Sequence, residues 1–278
     1  MCAGAIAAAG KDVLAVLPLA PADPYAAIRA APGAAASVVP IGGRVRVNLT
    51  LTDPAGVTTK INLPGAALLP AESAQMIRSV VSACEGADWL VLAGSLPPGV
   101  GDDFYVDVID AVRERWGAGA PRVAVDTSGA ALSAVVERGR PDLIKPNEDE
   151  LAELAAVELE TTGDASDLIH RVVALASSFV PECVGSALVT LGGDGAVLVE
   201  ADGAWAGTPP PITVVSTVGA GDSSLAGYVL GDLEGLDGAG RLRRAIQYGA
   251  AAASLPGSQA PTPADLPTGL VDVARVEP

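Results

Sequence analysis

Between residues 71 and 215 the hydrophobic period of the chain switches repeatedly, and that rhythm leaves few folds open. Short apolar runs at 89–93, 123–126, 143–145 and 187–191 have the length of buried strands. Between them, apolar residues recur at three- and four-residue spacing: Met76, Ile77, Val80, Val81 and Cys84, then Phe104, Val108, Ile109 and Val112, then Leu151, Leu154 and Val157. Helices are expected over 72–84, 103–115, 130–138, 148–160 and 168–179, and a short antiparallel pair around Asp202-Gly203. Strands separated by helices pair in parallel through right-handed crossovers. The expected fold is therefore α/β with a central, mainly parallel sheet. Ligands bind such sheets beyond the carboxyl ends of the strands. Polar, turn-forming segments follow three of these runs, at 94–99, 145–150 and 192–195, and a fourth, 216–223, follows a further β-type run at 212–215, which points to a single cleft.

Residues 1–10 read as the tail of a helix ended by Gly10, 13–17 as a short strand and 24–31 as a helix, so the chain begins inside an α/β unit. Residues 38–63 differ. Val45, Val47, Leu49 and Leu51 alternate with polar residues, Asp53-Pro54-Ala55-Gly56 signals a turn, and Val57, Thr59, Ile61 and Leu63 alternate again. This is a β-hairpin set apart from the main sheet, a lid between 1–37 and 64–278. Its polar face carries Arg44, Arg46, Asn48, Lys60 and Asn62 and is either solvated or turned toward an anionic ligand.

Composition excludes several classes. A net charge of -16 opposes non-specific nucleic-acid binding. No apolar run is long enough to span a membrane, and the N-terminus lacks the ordered regions of a secretory signal. Cys2, Cys84 and Cys183 have no metal-binding spacing and suit a reducing, cytoplasmic compartment. His170 stands alone within an expected helix and reads as structural or exposed.

The most informative stretch is Ser216-Thr217-Val218-Gly219-Ala220-Gly221-Asp222-Ser223, preceded by the β-type run 212–215 and followed by a helix-compatible run. Strand, glycine turn and helix start together create an anion site, because the first helical amides lack internal partners and the helix dipole is positive there. Asp222 at its mouth is either an N-cap or a base taking a proton from a hydroxyl while Gly219, Ala220 and Gly221 offer backbone donors to a phosphoryl group. No Gly-Lys-Ser or Gly-Lys-Thr follows, so this is not a Walker A loop. Asn147 and Glu150, three apart at a helix start, form either a capping box or a pair that shares a hydrated magnesium ion. Gly192, Gly193 and Gly195 form a simple turn or a close approach to a nucleotide. Asp126 is a ligand contact or a cap, and Gly94 and Ser95 line a sugar site or merely turn the chain.

With these residues in view, the chain resembles the ribokinase-like (PfkB) carbohydrate kinases, and within them the phosphofructokinase-type members. Residues 216–223 fit the C-terminal signature; 92–99 (Leu-Ala-Gly-Ser-Leu-Pro-Pro-Gly) and 145–151 (Lys-Pro-Asn-Glu-Asp-Glu-Leu) fit two further blocks; 45–48 and 58–62 fit the lid. The resemblance implies a three-layer sandwich with a small β-lid and ATP-dependent phosphorylation of fructose 1-phosphate to fructose 1,6-bisphosphate. Tagatose 6-phosphate or another sugar is the alternative, and a truncated nucleotide-binding protein of little activity the third reading. It implies Asp222 as base and Gly219, Ala220 and Gly221 as anion hole. Asn147 and Glu150 would organise Mg2+ through water, and Gly192, Gly195 and Thr217 would border ATP. Arg46, Asn48, Gly94 and Ser95 would contact the phosphosugar. A monovalent cation near Gly219 and a homodimer through the lid are further implications. The chain departs from the family in lacking its Asn-Pro-x-x-Asp and Gly-Gly-Lys-Gly-x-Asn segments, so the first strand is expected to be missing, and Thr50 stands where some members carry lysine.

Overall fold

A computed structural model describes residues 1–25, 34–52, 58–159 and 165–277. Among the described residues eleven strands form three sheets: a two-stranded parallel pair, β1 (Leu14–Leu19) with β2 (Ala35–Pro40); an antiparallel hairpin, β3 (Asn48–Thr52) with β4 (Thr58–Asn62); and a seven-stranded sheet in the order β11-β10-β9-β8-β7-β6-β5. In the main sheet β5 (Trp89–Ala93), β6 (Arg122–Asp126), β7 (Leu143–Ile144) and β8 (Ser186–Thr190) run parallel, as the alternation with helices requires. From β8 onward, β9 (Ala196–Glu200), β10 (Gly203–Thr208) and β11 (Asp272–Val276) are antiparallel. The sheet is mixed because β8 to β10 are joined by tight turns, one of them a single 3-10 turn at Gly192–Asp194, with no α-helix between them.

Helices cover both faces. Ala124, Leu143, Leu188 and Leu198 point to α1 (Cys2–Ala8), α7 (Ala220–Leu233) and α8 (Gly238–Ala253). Their strand neighbours point the opposite way. Val123 and Val125 meet α2 (Pro70–Ala83), α3 (Phe104–Trp116) and α4 (Gly129–Ala134), while Val197 and Val199 meet α6 (Ala165–Ser177). Period-two alternation in the strands thus fills two hydrophobic layers and makes a three-layer sandwich. Among the described residues no helix is long and apolar enough to cross a membrane.

Helix α7 is the axis of one layer, buried continuously from Ser223 to Gly231. It lies close to α8 because both helices carry glycines at the crossing: a Cβ on Gly227 would sit 2.4 Å from the Arg244 carbonyl oxygen, and one on Gly249 2.3 Å from Ser224 Oγ. Its C-terminal end is anchored by Asp232, which accepts from Trp89 Nε1 at 2.9 Å, Arg122 Nη1 at 2.8 Å and Arg241 Nη1 at 3.2 Å. Trp89 and Arg122 start their strands, so this network holds α7 at the edge of the sheet opposite the cleft.

Three expectations are corrected. The run 212–215 is not a strand: Val214 and Val215 are exposed, and Val215 and Ser216 donate their N–H groups to the Ala253 carbonyl. Prolines at 209–211 precede it, and proline has no N–H for a ladder, so the chain leaves the sheet there. The helix expected over 148–160 is α5 (Glu148–Leu154), ended by Ala156 at φ 53. Val157, expected to face inward, is consequently 45% exposed. The expected helix at 24–31 lies outside the described residues from 26 onward, as does the turn 53–56.

The lid ladder pairs Asn48 with Asn62 through Thr52 with Thr58. Below it, a looser stalk continues with Leu63 N–H to Val47 O at 2.9 Å and Ala66 N–H to Arg44 O at 3.0 Å. Val47, Leu49, Ile61 and Leu63 are exposed, so among the described residues one side of the hairpin presents apolar side chains to solvent.

Candidate active site

The site is built on the first turn of α7. Gly219 takes φ 78, a left-handed value that favours glycine, and turns the chain into the helix. Ser223 N–H returns to Gly219 O at 2.9 Å, while the amides of Gly221 and Asp222 have no backbone acceptor among the described residues. These are the free donors that a helix N-terminus supplies to an anion. Asp222 is the acidic residue of this turn, and its side chain is 39% exposed. Thr217, exposed beside it, accepts Ala220 N–H through its carbonyl. Helix α1 packs along α7 and puts the Met1 ammonium 3.9 Å from Asp222.

A buried cation faces the same turn. Lys145, which follows β7, is 5% exposed, and its Nζ lies 3.1 Å from Asp126 Oδ1 at the carboxyl end of β6. A Cβ on Gly221 would come 3.2 Å from that Nζ, so the missing side chain at 221 is what lets the ammonium approach the amides. Burial raises the Asp126 carboxyl above the ordinary carboxylate range; Lys145 opposes this, and Asp222 and Glu150 add to it. Asp222 and Glu150 are therefore both close enough to act on Asp126 beside its ammonium partner. Cys2, buried behind them, is pushed up to about 12 by burial first and is no nucleophile.

The capping alternative for Asn147 and Glu150 is realised: Asn147 Oδ1 accepts Glu150 N–H at 2.7 Å and Glu150 Oε2 accepts Asn147 N–H at 2.9 Å. The second carboxylate oxygen of Glu150 has no partner among the described residues and stays available to an ion. Among those residues no group of three or more His, Cys, Asp or Glu side chains could enclose a metal. The donors present fit a magnesium ion that keeps most of its waters and touches one or two carboxylates.

The glycines at 192–195 separate into two cases. Gly195 (φ 110) is required by packing, since a Cβ there would lie 1.9 Å from the Gly207 carbonyl oxygen of β10. Gly192 (φ 56) faces open space, where its backbone is accessible to a ligand. At the end of β5, Gly94 (φ 104) accepts from the Tyr105 hydroxyl at 2.7 Å and from Thr127 Oγ1 at 3.2 Å, and Ser95 is exposed. Arg46 stands on the lid stalk near enough to Tyr105 to influence its phenol, which burial pushes up to about 12. No carboxylate pairs with Arg46 among the described residues. Asn48 lies exposed on β3. His170 is exposed, with Nδ1 2.7 Å from Ser166 O. Asp222, the glycine turn, Asn147 and Glu150 thus come together with Asp126. Lys145, Tyr105 and Thr127 were not picked out from the sequence. The one available signal was a lysine directly after the buried-strand residues Leu143 and Ile144.

The sequence pattern of pfkB family carbohydrate kinases matches residues 36–265. The 1-phosphofructokinase of Rhodobacter capsulatus is 35% identical over 223 residues, 80% of this chain and 67% of that one. The ATP-dependent 6-phosphofructokinase isozyme 2 of Escherichia coli is 34% identical over 192 residues, 69% of this chain and 57% of that one, so the matched span is under two thirds of its length. The crystal structure of phosphofructokinase-2 from Escherichia coli in complex with potassium superposes with a TM-score of 0.83 at 31% identity, covering 95% of this chain and 83% of the other.

Proposed function

Because the chain belongs to the pfkB family of carbohydrate kinases, we propose that it transfers the γ-phosphoryl group of ATP to a hydroxyl of a fructose phosphate, with fructose 1-phosphate as substrate and fructose 1,6-bisphosphate as product. The observation that carries this reading is the first turn of α7, where Asp222 stands beside two amides without a backbone acceptor among the described residues and Gly221 faces the Lys145–Asp126 pair. In the reaction the sugar hydroxyl oxygen bonds to the γ-phosphorus as the bond to the β-γ bridging oxygen breaks. Asp222 accepts the hydroxyl proton and ADP departs. The amides of Gly221 and Asp222 and the Lys145 ammonium stabilise the charge on the transferring group. Mg2+, held through water by Glu150 and Asn147, would neutralise the ATP phosphates. Gly192, Gly195 and Thr217 border the nucleotide, and Gly94, Ser95, Arg46 and Asn48 the phosphosugar.

Residues 38–40 belong to β2 beside β1, so of the expected span 38–63 the part from 41 onward acts as the lid over that site. The apolar side of the hairpin, with Val47, Leu49, Ile61 and Leu63 exposed, favours a homodimer formed lid to lid. The potassium in the Escherichia coli relative motivates a monovalent cation beside the 213–219 loop. The test is ADP release with magnesium-ATP and fructose 1-phosphate, fructose 6-phosphate, tagatose 6-phosphate or ribose. Selective turnover of fructose 1-phosphate is expected. Preference for fructose 6-phosphate would overturn the substrate assignment, and a folded sample inactive on all four would overturn the kinase reading in favour of nucleotide binding alone.

A further inference from the structure

Asp23 is a buried carboxylate that the chemistry above leaves unused. It lies after β1, 5% exposed, and spends both oxygens on backbone amides. Oδ1 accepts Tyr25 N–H at 2.9 Å, a local turn contact. Oδ2 accepts Val45 N–H at 3.0 Å, across 22 residues, on the incoming strand of the lid stalk. Val45 is flanked by Arg44 and Arg46, whose side chains are exposed while that of Val45 is half-buried. Glu72 of α2 supports the same strand: Oε1 takes Gly42 N–H at 2.7 Å and Oε2 takes Leu69 N–H at 2.8 Å, joining the strand that enters the lid to the segment that leaves it. The outgoing strand closes the clasp. Ala66 N–H binds Arg44 O at 3.0 Å, and Gly65 lies so near that a Cβ there would be 3.1 Å from Arg46 N. Leu68 N–H binds Pro98 O at 2.8 Å, tying the stalk to the loop of Gly94 and Ser95.

A hairpin on two connecting strands has freedom to rock and rotate, and a guanidinium at its base moves with it. A charge-assisted hydrogen bond donated by the amide next to Arg46 to a buried carboxylate removes that freedom where it matters. We propose that Asp23 is a positioning residue: through Val45 N–H it fixes the lid stalk so that Arg46 is held over the sugar end of the cleft, and it thereby sets affinity for an anionic sugar. This rests on the kinase reading above, in that Arg46 is taken to receive the phosphosugar.

The test is a double-mutant cycle of Asp23→Ala and Arg46→Ala, with KM for fructose 1-phosphate, KM for ATP, kcat and thermal midpoint measured for each. Asp23→Ala is expected to raise the sugar KM about tenfold, in line with loss of one charged hydrogen bond, and to leave the ATP KM and kcat within about twofold. In the Arg46→Ala background the same change should add almost nothing. Equal factors in both backgrounds, or a lower thermal midpoint with neither KM altered, would reduce Asp23 to a structural cap and overturn the proposal. Should Asp23→Ala fail to fold, Asp23→Asn, which keeps one acceptor oxygen, carries the same cycle. If the wild-type chain turns over no sugar, the kinase reading fails and the cycle is read instead as the dissociation constant for fructose 1,6-bisphosphate, with the same coupling expected. Absence of sugar-phosphate binding by wild type would overturn both.

Discussion

Lys145→Met keeps most of the side-chain volume and removes its charge from a pair 3.1 Å apart whose side chains are only 6% and 17% exposed. Removing one member of a buried ion pair costs about 3–5 kcal/mol, because the other charge is left buried without compensation. Asp126 has a partial escape by taking up a proton. Its carboxyl is already raised, by burial first, and Lys145 is the group holding it down, so the variant raises it further. A carboxyl raised in the folded state costs nothing below its unfolded value, about pH 4, and costs stability as pH climbs through the folded value. The destabilisation should therefore be small near about pH 5 and approach about 3 kcal/mol near about pH 8. Lys145→Met combined with Asp126→Asn leaves no buried charge at that spot and should return to within about 1 kcal/mol of wild type at both pH values. Turnover should not return, since both variants lack the cation facing Gly221, and a loss of about 10²–10³-fold is expected. Urea unfolding at the two pH values, with ADP-release rates on the same samples, measures all of this. Equal destabilisation at both pH values, or a double variant as unstable as the single one, would refute the buried-pair argument. A double variant with wild-type turnover would refute the role assigned to Lys145.

Asp222→Asn should lower turnover by about 10²–10⁴-fold while ATP affinity, measured calorimetrically, stays nearly constant; unchanged turnover would remove Asp222 as the base. Glu150→Gln preserves the reciprocal cap on Asn147, so thermal stability should hold while the magnesium concentration for half-maximal rate rises several-fold; an unaltered magnesium titration would leave Glu150 as a cap only. Gly227→Ala would place a methyl 2.4 Å from the Arg244 carbonyl oxygen and should cost about 1–3 kcal/mol through overpacking, read by urea unfolding; wild-type stability would show that α7 and α8 can separate without penalty.

Much of this protein was legible along the chain because it depends on local periods. The apolar spacing of 104–112 buries Val108, Ile109 and Val112 on α3 and leaves Phe104 half-buried, and the alternation in 123–125 feeds two layers. The turn before Asp222 and the box of Asn147 with Glu150 span three or four residues and appear as read. The third dimension decided whatever joins distant segments. Asp126 and Lys145 meet because adjacent parallel strands end at the same edge, and no spacing marks that pairing. Gly195 is needed for its closeness to Gly207, whereas Gly192 faces open space, although both sit in one glycine turn. The 212–215 run has strand-like composition, yet among the described residues no strand pairs with it, and Ala253 accepts its last amide. Asp23 looks like an ordinary turn residue until Val45 arrives at its second oxygen. Local backbone preference is carried by neighbours in sequence, whereas burial, charge pairing and register arise only when the folded chain brings remote groups within a few ångströms.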